Sequence, residues 1–109
     1  MNVSREDVVV SALSSLLAEM LVETEDFHHC ERQGLQNTLN LFCRAYEQAL
    51  DAFDDFILAE NDPRFESKGK ESRLVFTTAG PVLVNRRRYK SETGSVYLLD
   101  EALDLPPRF

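Results

Sequence analysis

The residues with the clearest chemical potential are a run of cations in the second half of the chain. Eight basic and two acidic residues lie between Arg64 and Lys90, which gives this segment a net charge of +6. Because clustered guanidinium and ammonium groups neutralise phosphates, the segment favours an anionic partner such as DNA. The candidate DNA-binding residues are Lys68, Lys70, Arg73, Arg86, Arg87, Arg88 and Lys90. The alternative is that these cations face solvent or the acidic residues Asp54, Asp55 and Glu60.

Residues suited to metal binding or catalysis do not occur at a recognisable spacing. His28, His29 and Cys30 are adjacent and Cys43 lies 13 positions on, whereas zinc ligands usually come as two spaced pairs. On one helix the two cysteines would lie about 20 Å apart, so we expect two free thiols. The chain contains no nucleophile elbow, P-loop or dinucleotide fingerprint. We therefore expect no metal, no cofactor, no small-molecule substrate and no active site in these 109 residues.

Composition and charge are those of a globular protein with two dissimilar halves. Hydrophobic residues make up 43% and charged residues 28%, which is typical of a folded domain. Residues 1–62 hold 3 basic and 13 acidic residues, a net charge of -10, whereas residues 63–109 hold 9 and 6, a net charge of +3. The chain has two cysteines, no basic leader and no long apolar run, so we expect a cytoplasmic protein without membrane contact.

Two helices are predicted in the acidic half. Ser4 is a suitable N-cap for the first, and Thr24 with the two acidic residues after it indicates a new helix start. Apolar residues at alternating spacings of 4 and 3 mark the second helix as a heptad seam: Leu35, Leu39, Phe42, Tyr46, Ala49, Phe53 and Phe56. A helix over residues 35–60 would be about 39 Å long. The seam therefore predicts either a homodimer contact or the core of an intramolecular helix pair.

Three strands are predicted after Pro63, over residues 74–78, 82–89 and 95–99. Turn-forming residues at 79–81 and 91–94 separate them, which indicates an antiparallel meander. The predicted fold class is therefore α+β, with two N-terminal helices, the second long and heptad-like, before a three-stranded antiparallel meander. Residues 1–62 form the helical hairpin or dimerisation segment and residues 63–109 the basic meander, together one domain.

The turn positions also predict which residues lie opposite one another in the sheet. A three-residue loop over 79–81 places Phe76 opposite Val84 and Arg73 opposite Arg87. Since like charges directly opposite are destabilising, such an arginine pair would favour a bound phosphate or carboxylate. The second turn places Tyr89 opposite Tyr97.

Several short motifs follow one another in residues 64–106. They are K-G-K-x-x-R at 68–73, T-x-x-G-x-V at 77–82, an R-R-x-Y strand at 86–89 and V-Y-L-L-D-E-x-L at 96–103. Their order resembles the N-terminal region of the ISLre type of bacterial insertion-sequence transposases. Ala79, Pro81 and Asp104 depart from the residues that are frequent in that family.

The resemblance implies a metal-dependent transposase of the acidic-triad class, with its catalytic residues beyond Phe109. The chain would then be the N-terminal part of a longer protein, a DNA-binding and assembly domain that recognises transposon ends. The alternative is a purely structural homodimerisation module with no nucleic-acid role. In both cases the 109 residues are not themselves an enzyme.

Overall fold

Helices precede strands along the chain. The structure is a computed structural model, and it describes residues 4–105. Helix α1 spans Arg5–Thr24 and helix α2 spans Phe27–Ala59; strands β1, β2 and β3 span Glu66–Thr77, Gly80–Ser91 and Gly94–Val96; helix α3 spans Leu98–Ala102. The predicted α+β fold, two helices followed by a three-stranded antiparallel sheet, is confirmed. Residues 106–109 of the predicted meander segment lie outside the described residues.

Local capping signals set the ends of the two long helices. The Ser4 hydroxyl accepts a hydrogen bond from the Asp7 N–H at 3.1 Å, as the sequence predicts. Glu25 ends α1 in the left-handed region with φ of 52°, and the Asp26 carboxylate accepts the His29 N–H at 3.2 Å. Helix α2 therefore begins at Phe27, eight residues before the start of the predicted seam. No helix within residues 4–105 has the length and apolar character needed to cross a membrane.

The chain divides into two compact units, residues 1–42 and 43–109. We call them the helical unit and the sheet unit. The boundary lies within α2, whereas the sequence predicted a change of character after residue 62. In the helical unit, α1 and α2 approach closely at Gly34, because a Cβ there would lie 2.7 Å from a Leu17 methyl.

The sheet unit has its core between the sheet, the second half of α2 and α3. Val82 and Val84 on β2 are buried with Leu99 of α3 and with Cys43 and Leu50 of α2. The buried stripe of α2 is thus displaced by one residue from the predicted seam. Phe53 is only partly buried, while Asp54 beside it is fully buried.

The strand order β1-β2-β3 is the predicted meander, but the predicted register is wrong. Thr77 pairs with Gly80 across a two-residue turn, so Phe76 lies opposite Pro81 and Arg73 lies opposite Val84. The Thr77 hydroxyl accepts the Ala79 N–H and donates to the Gly80 carbonyl at 2.8 Å, which closes this shorter turn. The predicted pair of opposed arginines is therefore absent from this part of the sheet.

The second turn is also shorter than predicted. Ser91 pairs with Gly94, which has a φ of 130°, and Tyr89 then lies opposite Val96 instead of Tyr97. Strand β3 ends at Val96, because Leu98 and Leu99 belong to α3. Residues 68–71, which precede the first predicted strand, lie inside β1, where a bulge falls between Ser67 and Lys70.

Candidate functional site

Arg86, a predicted DNA contact, is a core residue of the sheet unit. Its side chain is 2% exposed, and its Nε donates to the Asp100 carboxylate at 3.2 Å. One Nη donates to the Glu71 carbonyl at 2.9 Å, and the guanidinium lies 4.0 Å from the centre of the Tyr97 ring. The prediction of Arg86 as a DNA contact is therefore corrected, because the fold encloses this cation and leaves it no access to a phosphate.

Arg73, on the neighbouring strand β1, pairs with the same Asp100 carboxylate. Its side chain is largely buried, and its Nη1 donates to Asp100 Oδ2 at 3.3 Å. Asp100 therefore accepts hydrogen bonds from both Arg73 and Arg86. Since Asp100 belongs to α3, these two cations fix the short helix to the sheet rather than presenting charge to DNA.

Arg87 is neutralised by the acidic face of α2, so the prediction of Arg87 as a free DNA contact is corrected too. Its guanidinium donates to Asp54 and Asp55, each at 2.8 Å. The hydrogen bond with Asp55 has the largest effect and raises the pKa of Arg87. Burial lowers this pKa, and the charge of Asp54 raises it further. The alternative that acidic helix residues face the basic strand is confirmed at this position.

The other four predicted DNA contacts lie where β1 begins and β2 ends. Lys70 and Lys90 are exposed. Lys68 pairs with Glu66 at 3.0 Å, and Arg88 donates to Ser95 at 3.2 Å. We call Lys68, Lys70, Arg88 and Lys90 the basic end of the sheet. The structure thus brings four of the seven predicted cations to one end of the sheet, where Lys68 pairs with Glu66 and Arg88 lies 3.9 Å from Glu71, and it pairs the other three with Asp54, Asp55 and Asp100.

Two acidic side chains of α2 cover the edge of β2 that β3 does not pair with. Glu47 accepts the Leu83 N–H at 2.7 Å, and Asp54 accepts the Arg87 N–H at 3.3 Å. Positions 47 and 54 are seven residues apart and lie on one helix face. From the sequence such helix carboxylates are expected to be solvated. The i, i+7 spacing of Glu47 and Asp54 is the sequence feature that places both carboxylates on one helix face, where they can lie beside a strand.

Large apolar side chains are exposed along both long helices. Helix α1, in its described residues, has no buried residue, and Val8, Leu16 and Val22 are among its exposed side chains. In the predicted seam, Leu35 is 62% and Phe56 59% exposed. The seam members Phe42 and Tyr46 are also exposed, whereas Leu39 and Phe53 are partly buried. Within residues 4–105, these exposed members are not buried in the core of an intramolecular helix pair.

A further apolar patch lies on the outer face of the sheet and was not predicted. Leu74 and Leu83 are cross-strand partners, and Phe76 follows on the same face. Their exposures are 52%, 48% and 78%. Leu74 and Phe76 are two residues apart in β1, so the sequence already places them on the same face of a strand. The predicted register, however, placed Leu74 opposite Arg86 and not opposite Leu83.

The residues considered for metal or thiol chemistry do not converge. Cys30 and Cys43 are both buried and free. Within residues 4–105 no group of three or more His, Cys, Asp or Glu side chains is placed to hold a metal ion.

Comparison with protein-family models, with curated proteins and with solved structures finds no match to this chain. Its function is therefore inferred from the exposed surfaces of the helices and the sheet and from the resemblance of residues 64–106.

Proposed function

We propose that this chain is a homodimerising assembly domain, and that it serves a transposase-like protein. The observation that carries the proposal is the exposure of the heptad seam and of the apolar side chains of α1. The transposase context comes from the resemblance of the motifs in residues 64–106. Assembly is one of the two roles that this resemblance implies for the N-terminal region.

Exposed apolar surface of this extent is unfavourable for an isolated chain. Monomeric proteins rarely expose contiguous apolar patches larger than a few hundred Å². A Leu or Phe that moves from a half-exposed to a buried position contributes on the order of 1 kcal/mol. Several such residues lie along each long helix, so association of the helices has a clear driving force.

A second copy of the chain is the partner that the seam fits. Its seven positions follow the heptad spacing by which helices pack against one another, and none of them is charged. Two copies therefore meet without burying a charge. Helix pairs associate in this way into four-helix bundles.

The first prediction is that Leu35→Lys dissociates the dimer. Leu35 is exposed in the single chain, so the substitution leaves the fold intact and places a charge in the contact. We expect sedimentation equilibrium at micromolar concentration to give twice the chain mass of 12.5 kDa for the wild type. For Leu35→Lys we expect a dissociation constant at least about tenfold higher, which corresponds to about 1.4 kcal/mol.

The matched control is Gln33→Lys, which adds the same charge on another side of the same helix. Gln33 is exposed and lies outside the seam, so this variant should dimerise like the wild type. A wild type that sediments at 12.5 kDa at all concentrations would refute the assembly role. Equal effects of the two variants would show that the seam is not the contact.

A second candidate function, contact with the DNA backbone, is favoured by the exposure of Lys70 and Lys90 at the basic end of the sheet. With four cations in place of seven, we propose weak binding that is dominated by phosphates. Each phosphate contact contributes about -0.9 to the slope of log affinity against log salt concentration. The whole set therefore supplies at most about four contacts per chain.

The second prediction is that Lys70→Ala lowers this salt slope by about one contact. Fluorescence anisotropy with a duplex that carries the transposon-end sequence, titrated over a salt series, measures the slope. Arg5→Ala is the control, because Arg5 is an exposed cation in the acidic half of the chain. No binding at low salt, or equal slopes for the two variants, would leave assembly as the role of the domain.

A further inference from the structure

The edges of the sheet differ in how they are protected. Unpaired strand edges attract other strands, and proteins protect them with charges, bulges or covering groups. Along β2, Glu47 and Asp54 cover the edge left free by β3. The first half of β1 carries a bulge and four charged residues at 66–71. Residues 74–77 of β1 have no bulge and no charged side chain.

The backbone of this second half of β1 points outward at two residues. Because the N–H groups of Leu83 and Arg87 donate to α2, the odd-numbered residues of β2 direct their peptide groups away from β1. Leu74 lies opposite Leu83, so it too directs its N–H and C=O away from the β1–β2 ladder, as does Phe76 two residues on. The outer edge thus presents two donors and two acceptors flanked by exposed side chains.

We propose that this edge pairs with β1 of a second copy, antiparallel, about a two-fold axis at Val75. In this register Leu74 of one chain lies opposite Phe76 of the other, twice, and their outward groups exchange four backbone hydrogen bonds. The two three-stranded sheets become one six-stranded sheet of order β3-β2-β1-β1-β2-β3. The apolar patch of Leu74, Phe76 and Leu83 becomes continuous across the axis.

The sequence of β1 is self-complementary in this register, which is the reason to choose a second copy as the partner. Each Leu74 meets a Phe76, an aliphatic–aromatic pair of the kind that stabilises neighbouring strands. Arg73 lies opposite Thr77, so no like charges face each other. The charged residues at 66–71 of each chain fall beyond the paired segment.

This contact goes beyond the proposed function, because it uses a surface separate from the helical seam. Two different two-fold contacts on one chain join dimers into larger assemblies. The edge contact also does not require the seam contact, and the two can be tested apart.

A disulfide at Val75 tests the edge contact directly. Across the two-fold axis the Val75 residues form a non-hydrogen-bonded pair with Cα atoms about 4.5 Å apart, which suits a disulfide. Under mild oxidation we expect Val75→Cys to give a covalent dimer at least ten times faster than Leu83→Cys. Leu83 is an exposed position on the central strand and not on the edge. Mass spectrometry of the linked peptides separates this bond from any formed by the buried Cys30 or Cys43.

Two double variants complete the test. Phe76→Lys places a charge on the edge at a side chain that is 78% exposed, so Phe76→Lys/Val75→Cys should cross-link only at the rate of Leu83→Cys. Leu35→Lys/Val75→Cys should still cross-link, because the seam is not involved, even if the seam proposal fails. A Val75→Cys rate equal to that of Leu83→Cys in the purified chain would overturn the proposal, as would persistence of cross-linking with Phe76→Lys. Equal cross-linking rates of Val75→Cys and Leu83→Cys are also expected if the edge pairs with a strand from another protein.

Discussion

The three consecutive arginines of β2 have three different environments. Arg86 is buried against Asp100 and Tyr97, Arg87 is held by two carboxylates of α2, and Arg88 is partly exposed at the basic end. Successive side chains of a strand point to opposite faces, so a run of like charges in a strand is not a patch. At the scale of the residue, charge alone therefore overstated the number of cations that are accessible to a phosphate.

The third prediction concerns Tyr89, a fully buried residue whose hydroxyl finds no hydrogen-bond partner within residues 4–105. A buried polar group without a partner costs about 1–3 kcal/mol. We expect Tyr89→Phe to raise the free energy of unfolding at pH 7 by about 1 kcal/mol, measured by urea denaturation. The comparison is Tyr97→Phe, which removes a hydroxyl that donates to Glu71 and should lower the stability. A loss of stability in Tyr89→Phe would mean that its hydroxyl is bonded in solution.

The same residue gives a pH dependence. Burial, and then the charge of Asp54, raise the pKa of Tyr89 above its ordinary value of 10.0. The unfolded chain releases this proton from about pH 10 upward, whereas the folded chain retains it up to the higher pKa. The free energy of unfolding is therefore unaffected by this group below about pH 10 and falls as the pH rises from about 10 to the folded-state pKa. Over the same pH range, the free energy of unfolding of Tyr89→Phe should fall less. Parallel pH profiles for the two proteins would contradict this assignment.

At the scale of the element, α2 stabilises the sheet through carboxylates as well as apolar contacts. Asp54 is fully buried and accepts both the backbone N–H and the guanidinium of Arg87. Glu47, two turns earlier, accepts the Leu83 N–H. The helix thereby satisfies backbone donors along an edge that a longer β3 would otherwise have paired with.

The fourth prediction is a large difference between two adjacent aspartates. Asp54→Ala removes a fully buried carboxylate from the partly buried Arg87 and leaves a strand N–H without its acceptor, so we expect a loss of about 3–5 kcal/mol. Asp55→Ala removes a partner that is 62% exposed, and such pairs contribute about 0–1 kcal/mol. Urea denaturation followed by circular dichroism measures both. Similar losses in the two variants would show that the hydrogen bonds from β2 to Asp54 contribute little to stability.

The sequence predicted the helices and the meander because their signals are local. The Ser4 cap, the heptad spacing and the turn residues each depend on a few neighbouring side chains. The buried stripe of α2 was missed because it contains Glu47 and Asp54, which a hydrophobic pattern assigns to solvent. The register was missed because the Thr77 hydroxyl and the φ of Gly80 select a two-residue turn. The environment of each arginine then depends on that register.

At the scale of the whole molecule, the two units differ in how much they bury. The sheet unit has a contiguous core and paired charges. In the described part of the helical unit, only Cys30 and Gly34 are buried. Helices in proteins gain most of their stability from packing of an apolar face. The helical unit therefore has less of this packing within the described residues than the sheet unit has.

The fifth prediction is that protection of α1 against amide hydrogen exchange depends on protein concentration. If α1 gains its packing from a second copy, as we propose, its amides should exchange faster when dilution dissociates the dimer. The amides of β2 that pair with β1 should exchange at the same rate at both concentrations, because their protection comes from within the chain. Mass spectrometry of peptides from residues 5–24 and 80–91, after exchange at concentrations well below and well above the dimer dissociation constant, compares the two. In Leu35→Lys the α1 peptides should exchange fast at both concentrations, and in Gln33→Lys they should follow the wild type. Equal, strong protection of α1 at both concentrations would show that the helix pair is stable in a single chain, and the exposed apolar side chains would then not require a second copy.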